Sequence, residues 1–343
     1  ARPGSDNPAR VEGTVNAPVT DTLFLRGNLF THQRDGFTDS VTNGGDYRDE
    51  EFIAARGVAL WLPTPDTEIQ LAVDYEDRDE MPRAAIGVSK YAYQGSDDPF
   101  RGKDQHDVVG ANGEYSSDRN NEEETREMYG VSLKLNHNID DQWSVFGIAS
   151  YREWETTNLQ EEDGTPAPRR YLDTNNIEES DIFYTEMRFN FVDDRWNVIF
   201  GGNYSQEDVF QRTDIGLLAD SYMQFLSGQL LPEFGFPSDP DLHAWDIFAG
   251  QDDDFWLLVS NLAGGIAALP PSFAGTYFTE TMDNTGDFVI WGVYGDASYQ
   301  LTDTVRVSAG LRYSYDEKEY SWQTFDQNLD WPFAAARVAY DPS

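Results

Sequence analysis

Val305-Arg306-Val307-Ser308-Ala309-Gly310-Leu311-Arg312-Tyr313-Ser314-Tyr315-Asp316 decides the fold. Val305, Val307, Ala309, Leu311, Tyr313 and Tyr315 alternate with Arg306, Ser308, Gly310, Arg312, Ser314 and Asp316. Successive side chains of a strand point to opposite faces, so this period of two makes one apolar and one polar face; a helix would scatter both sets around its circumference. Ile69, Leu71, Val73 and Tyr75 oppose Glu68, Gln70, Asp74 and Glu76 in the same way. So do Tyr129, Val131, Leu133 and Leu135 against Gly130, Ser132, Lys134 and Asn136, and Thr185, Met187, Phe189 and Phe191 against Tyr184, Glu186, Arg188 and Asn190. Trp143 to Trp154 alternates less cleanly, because Phe146 and Ile148 fall on the face opposite Val145, Ala149 and Tyr151.

Working outward, the pattern predicts strands over 9–18, 21–33, 51–62, 66–78, 125–138, 142–157, 178–192, 195–208, 286–300, 303–322 and 329–341. Many exceed the roughly 5–6 residues usual in soluble sheets, and roughly 9–11 tilted residues cross a bilayer. Short turns at 19–22, 63–66, 139–142, 193–194 and 302–303 alternate with long connections at 34–50, 79–124, 158–177 and 209–285; 323–328 is a short one on the same side. Outer-membrane barrels have short periplasmic turns and longer extracellular loops, and this asymmetry has no cause in a soluble sandwich. The expected fold class is therefore all-β, an antiparallel transmembrane β-barrel with long extracellular loops. Each strand should pair with its sequence neighbour, with Leu71, Val131, Val307 and Leu311 facing lipid. Eleven strands beginning with a downward one are one short of an even barrel, so 1–343 is expected to be a partial barrel domain whose remaining strands lie elsewhere. Its open edges should keep the piece from inserting alone.

The composition excludes other classes. Among 343 residues, 62 are acidic and 24 basic, for a net charge of -38, with no cysteine and four histidines. Such a charge repels phosphate backbones, so no nucleic-acid partner is expected. Disulfide scaffolds and thiolate zinc sites need thiols. Disorder is argued against by 18 Tyr, 21 Phe and 9 Trp. The most apolar stretch, Phe255 to Leu269, is too short for a spanning helix and runs into Pro270-Pro271. Ala1 begins without an initiator Met or an apolar signal segment, as expected if a leader is removed or the chain starts partway along a longer one.

Val11-Glu12-Gly13-Thr14-Val15-Asn16-Ala17-Pro18-Val19-Thr20-Asp21-Thr22-Leu23 resembles the second barrel strand and first periplasmic turn of the TonB-dependent outer-membrane receptors. Leu25-Arg26-Gly27-Asn28 and Arg34-Asp35-Gly36-Phe37 resemble the next upward strand and its loop entry. Val293-Tyr294-Gly295-Asp296-Ala297-Ser298-Tyr299-Gln300-Leu301-Thr302-Asp303, followed by Ala309-Gly310-Leu311-Arg312-Tyr313, is the most specific stretch. The resemblance covers almost the whole chain, the long loops least. It implies part of a 22-stranded barrel, roughly strands two to twelve, in the bacterial outer membrane. It further implies an energy-coupled uptake receptor for a siderophore, cobalamin or oligosaccharide. The implied partners are a plug domain and the TonB complex, both reached through parts absent here, together with outer-membrane lipid and the ligand.

Parity places Arg26, Asp74, Glu76, Lys134, Glu186, Arg188, Arg306, Arg312 and Arg337 toward the lumen, as candidates for plug or ligand contact. The simpler reading is the polar lining of any large barrel. Glu122-Glu123-Glu124, Glu161-Glu162-Asp163 and Asp252-Asp253-Asp254 lie in long connections; without a D-x-[DN]-x-[DN]-G pattern they read as solvated surface rather than calcium ligands. The histidines His32, His106, His137 and His243 have no metal-spaced partner, and neither G-x-S-x-G nor H-E-x-x-H occurs. No enzyme activity, cofactor or metal is expected. In the longest connection, Ile215, Leu218, Tyr222, Phe225 and Leu226 recur at helical spacing, as do Phe255, Leu258, Val259 and Leu262. Two short helices are expected there, with Trp245, Phe248, Trp256 and Tyr277 as candidate ligand contacts. The rival readings are a passive porin, which has no plug, and a secreted β-rich glycan-binding protein.

Overall fold

The computed structural model describes residues 8–40, 46–85, 113–115, 122–164, 171–231, 235–236, 243–262 and 268–325. Its strands are β1 (Ala9–Pro18), β2 (Leu23–Arg34), β3 (Thr38–Ser40), β4 (Asp46–Tyr47), β5 (Glu50–Thr64), β6 (Thr67–Glu80), β7 (Gly113–Tyr115), β8 (Glu123–Asn138), β9 (Trp143–Glu161), β10 (Leu172–Val192), β11 (Trp196–Leu218), β12 (Tyr277–Thr302) and β13 (Val305–Thr324). Ten form one sheet in the order β1-β2-β5-β6-β8-β9-β10-β11-β12-β13, every neighbouring pair antiparallel. Among the described strands β1 does not pair with β13, so the sheet is not closed. The expected strand 329–341 lies outside the described residues.

Alternation sets the register. Leu71 stands opposite Leu133, and Val73 opposite Val131. Slipping either strand by one residue would turn these apolar sets to the other face. Leu71, Val73, Val131, Leu133, Met187, Val293, Val307 and Leu311 are all exposed on one face of the protein surface. A face of this kind, continuous across neighbouring strands, is what a surrounding apolar medium covers. Phe146 and Ile148, which blurred the pattern of β9, belong to the polar face. The Arg188 guanidinium lies 4.8 Å from the Phe146 ring centroid, so the ring serves as a platform for a charge.

The strands outrun their sequence signal at one end. β12 has 26 residues, β11 has 23 and β10 has 21. At about 3.4 Å per residue such strands are far longer than an apolar band about 25 Å tall requires. The connection expected over 158–177 shrinks accordingly, because β9 runs to Glu161 and β10 starts at Leu172. Likewise 209–218 and 277–285 are strand, with Ile215 paired to Thr174 on one side and Glu280 on the other. Two ladders of backbone hydrogen bonds outweigh the local helical spacing that had put Ile215 and Leu218 in a helix.

At the opposite end four of the five tight turns share one construction. The Thr20 Oγ1 accepts from the Thr22 and Leu23 amides at 3.2 and 2.9 Å. Asp140 Oδ1 accepts from Gln142 and Trp143, both at 2.8 Å. Asp193 Oδ1 accepts from Arg195 and Trp196 at 2.8 and 2.6 Å, and Thr302 Oγ1 from Thr304 and Val305 at 3.4 and 3.1 Å. A short side-chain oxygen thus ties each of these four turns to the strand that follows. The amides of Trp196 and then Arg195 hold the Asp193 carboxyl below the usual carboxylate range. A depressed folded-state pKa gives stability that is complete above the ordinary carboxylate pKa and lost as pH falls through the depressed one. Asp193→Ala is therefore expected to lower the urea midpoint at neutral pH and lose that deficit in acid. Asp193→Asn, which keeps an acceptor, should stay near the parent; equal midpoints for parent and Ala variant at neutral pH would refute this role.

Candidate functional site

Three groups of side chains occupy the polar face and the long-loop end. The first lies on the wall. Glu186 accepts from the Tyr294 hydroxyl at 2.6 Å and the Tyr184 hydroxyl at 2.9 Å. Tyr294 crosses the neighbouring strand because Gly201 leaves the space: a Cβ there would stand 3.0 Å from the Tyr294 hydroxyl and 2.4 Å from the Met187 carbonyl oxygen. Arg312 Nη2 donates to Asn203 at 3.2 Å, and its guanidinium lies 5.8 Å from the Tyr294 centroid. Glu186, Arg188 and Arg312 therefore form one patch. Arg26 donates to Asn28 at 3.3 Å, Asp74 lies 3.4 Å from Arg56, and Arg306 donates to Gln300 at 3.0 Å, each elsewhere on the wall. Lys134 stands between Gln70 and Ile148 in register. Glu76 pairs with Arg126. Arg337 lies outside the described residues.

Next to this polar lining the same face carries an apolar patch that the lumen expectation did not include. Phe24, Val58 and Leu60 line a cavity of about 790 Å³ with Asn16, Arg26 and Gln70. All three sit at even positions of β2 and β5, opposite in parity to Leu25, Ala59 and Trp61. The signal was present in Phe24-Leu25 and Val58-Ala59-Leu60-Trp61, where apolar residues occupy both faces.

The second group is the mouth at the long-loop end. β3, β4 and β7 make a small sheet there in the order β4-β3-β7. The buried Tyr47 packs with Ala84, Met81 and Ala85, and its hydroxyl donates to Glu122. Glu122 also accepts from the Glu161 amide at 2.9 Å, while Glu161 accepts from the Asp163 and Gly164 amides at 2.6 and 2.9 Å. One member of each of the first two acidic runs is thus corrected: Glu122 and Glu161 are buried pins of the loop base, not solvated surface, whereas Glu123 is exposed. Asp252 ties a helix start instead, accepting from the Phe255 amide at 3.1 Å. Among the described residues no group of three or more His, Cys, Asp or Glu side chains is arranged to hold a metal. Phe37 lies between two guanidiniums, Arg34 at 4.9 Å and Arg48 at 5.5 Å. Burial pushes the nearby Asp49 and Glu80 carboxyls upward.

The third group is a helical cap between β11 and β12. Its helices are Ala219–Leu230, Ala244–Ile247 and Asp253–Leu262, with a 3-10 turn at Pro271–Phe273. Met223, Leu226, Leu231, Trp245, Trp256, Val259 and Leu269 form its own core. The Ala219 amide donates to Thr276 O at 2.8 Å and the Gly275 amide to Asp220 at 2.6 Å, which close its base. Gly275 takes φ +75° in doing so, a conformation that L side chains rarely adopt. The structure places Trp245 and Trp256 inside this core, with the Trp245 indole donating to Leu269 O at 2.7 Å. Phe248 packs against that core from its edge, and Tyr277 is half exposed at the start of β12. On the last helix Trp256 and Val259 turn inward while Leu258 is 55% exposed, so the expected apolar face is rotated. Below the cap, Arg212 grips Asp283 through two 2.7 Å bonds, which hold that carboxyl below its usual range.

The fold is similar to that of a solved uptake receptor. The crystal structure of the ferric yersiniabactin uptake receptor FyuA from Yersinia pestis overlaps 93% of this chain at a TM-score of 0.57 and 13% identity, and the chain spans 38% of that receptor. The siderophore receptor PiuA from Acinetobacter baumannii overlaps 92% at 0.47 and 13% identity, with 45% of its own length covered. The ferripyoverdine receptor of Pseudomonas aeruginosa overlaps 94% at 0.47 and 14% identity, with 36% covered. The FyuA overlap shows the fold alone: the sheet is built like part of the barrel wall of that receptor. A family described as "Protein of unknown function, DUF481" matches residues 100–163, a stretch in which β7, β8 and β9 are described. No curated protein sequence matches the chain.

Proposed function

We infer that this chain is barrel wall from an outer-membrane receptor for energy-coupled uptake of a scarce small nutrient, with a ferric siderophore as the leading class. The observation that carries the reading is the apolar patch Phe24, Val58 and Leu60 on the inward face. A water-filled pore has no reason to line itself with phenyl and isobutyl groups, whereas a wall that packs against a folded body does. That body is the receptor's own plug domain. Glu186 and Arg188 on β10 and Arg312 on β13, farther round the same face, supply charged, geometrically specific partners for that body, and arginine favours planar carboxylates. The siderophore class rests on the names of the structural neighbours, and on the long strands and cap that reach well beyond the membrane band. The TonB complex would supply the energy through the plug, and the protein would catalyse no reaction.

The test is growth of an iron-starved strain lacking the gene, complemented with the full-length receptor and fed single ferric siderophores. Growth on one of them, lost when TonB is inactivated, is the expected result. TonB-independent growth, with uptake that scales with solute size, would show a passive pore instead.

A further inference from the structure

We propose that the outward face of β5, β6, β8 and β9 carries a binding groove for one lipid molecule, seating an acyl chain and favouring an ammonium head group. The groove, about 390 Å³, is lined by Ala55, Gly57, Val73, Tyr75, Tyr129, Val131 and Tyr151 with Asp74 and Gly130. Ala55 and Gly57 form its floor because they are the small residues on outward positions of β5, paired with Tyr75 and Val73. The walls are the exposed side chains of neighbouring strands. This depression is continuous with the apolar face formed by Leu71, Leu133 and their neighbours, so hydrocarbon is what covers it once the wall sits in a bilayer. The inference rests on that membrane placement and on nothing in the transport reading.

The upper rim selects the head group. Tyr129 and Tyr75 both donate to Glu127, Tyr75 at 3.4 Å, and Tyr151 donates to Glu153 at 3.3 Å. Tyr75 and Tyr129 sit with ring centroids 5.2 Å apart, closing one side of the groove. Asp77 stands directly opposite Glu127 in register, and Glu153 opposite Tyr129. Three carboxylates thus border the groove at the level of the aromatic girdle, where lipid head groups lie. The outward positions of these four strands carry no Arg or Lys. An anionic phosphate head group would meet only like charge here, while an ammonium group can donate to carboxylates already oriented by phenol hydroxyls.

The test uses the full-length receptor in nanodiscs with nitroxide-labelled phosphatidylethanolamine or phosphatidylglycerol, reading the motionally restricted lipid component. Phosphatidylethanolamine should associate about fivefold more strongly, the size of a one-charge difference near a membrane surface. Ala55→Phe, which fills the floor, should abolish the restricted component while heat-modifiability stays normal. Should that variant misfold, Ala55→Leu serves the same purpose. The Asp77→Asn, Glu127→Gln double variant should bring the ratio of the two lipids to about one. A restricted component unchanged by filling the groove would overturn the site. A ratio unchanged by the rim variant, or a parent that prefers phosphatidylglycerol, would overturn the head-group assignment. Failure of the parent to insert at all would instead strike the membrane placement itself.

Discussion

Leu133→Arg in the full-length protein should lower folding stability by about 2–4 kcal/mol, the cost of a guanidinium on the lipid face near the bilayer midplane. Leu133 is 49% exposed, stands opposite Leu71 and Ala149, and shares its face with Val131 and Leu135. Three residues along the same strand, Asn136→Arg should cost little. Asn136 faces the other way, and its amide already donates to Glu68 at 3.4 Å, so a cation there gains a carboxylate. Urea titration in lipid vesicles measures both. Equal effects, or a larger one at Asn136, would mean that the faces are assigned in reverse or that no lipid covers either.

The second large effect concerns the cap. Replacing 219–276 by a short Gly/Ser link should leave a heat-modifiable barrel and reduce ligand binding at the cell surface by an order of magnitude or more, because loops rather than wall strands are free to encode a ligand. The cut is placed at Leu218 and Tyr277 because those residues are paired, and removing them would strip the ladder between β11 and β12. A point variant separates folding of the cap from its surface. Trp256→Ala empties a fully buried site and should unfold the cap locally, at about 3–5 kcal/mol. Leu258→Ala, on the exposed flank of the same helix, should leave the cap intact. If ligand affinity survives loss of the whole cap in a folded barrel, recognition belongs to the plug and the wall patch around Glu186.

Strand identity was legible wherever one face met lipid and the other did not. Val305 to Tyr315 and Tyr129 to Leu135 announce themselves because a bilayer enforces the period. Beyond the membrane that pressure ends: Asn158 and Gln160 on β9 and Asp173-Thr174-Asn175-Asn176 on β10 are polar, so these strand ends read as part of a loop over 158–177. Phe146 misled for the opposite reason, since an aromatic ring under a guanidinium belongs on the polar face. The cap's helices were visible in part, but their inward faces depend on where Trp245 and Trp256 meet, which spacing along one helix cannot reveal. The candidate wall charges followed from parity alone, whereas the contact from Tyr294 across Gly201 to Glu186 required the register of three strands.

The absence of cysteine from this chain makes its central claim directly measurable. Single cysteines placed in turn from Met128 to His137 in the full-length protein, spin-labelled and reconstituted, can be read for collision with oxygen and with a water-soluble nickel chelate. A strict period of two is expected along β8: positions 129, 131, 133 and 135 favour oxygen, and 128, 130, 132 and 134 favour the chelate or are shielded from both. A flat profile, or chelate access at 131 and 133, would contradict a membrane-spanning barrel wall.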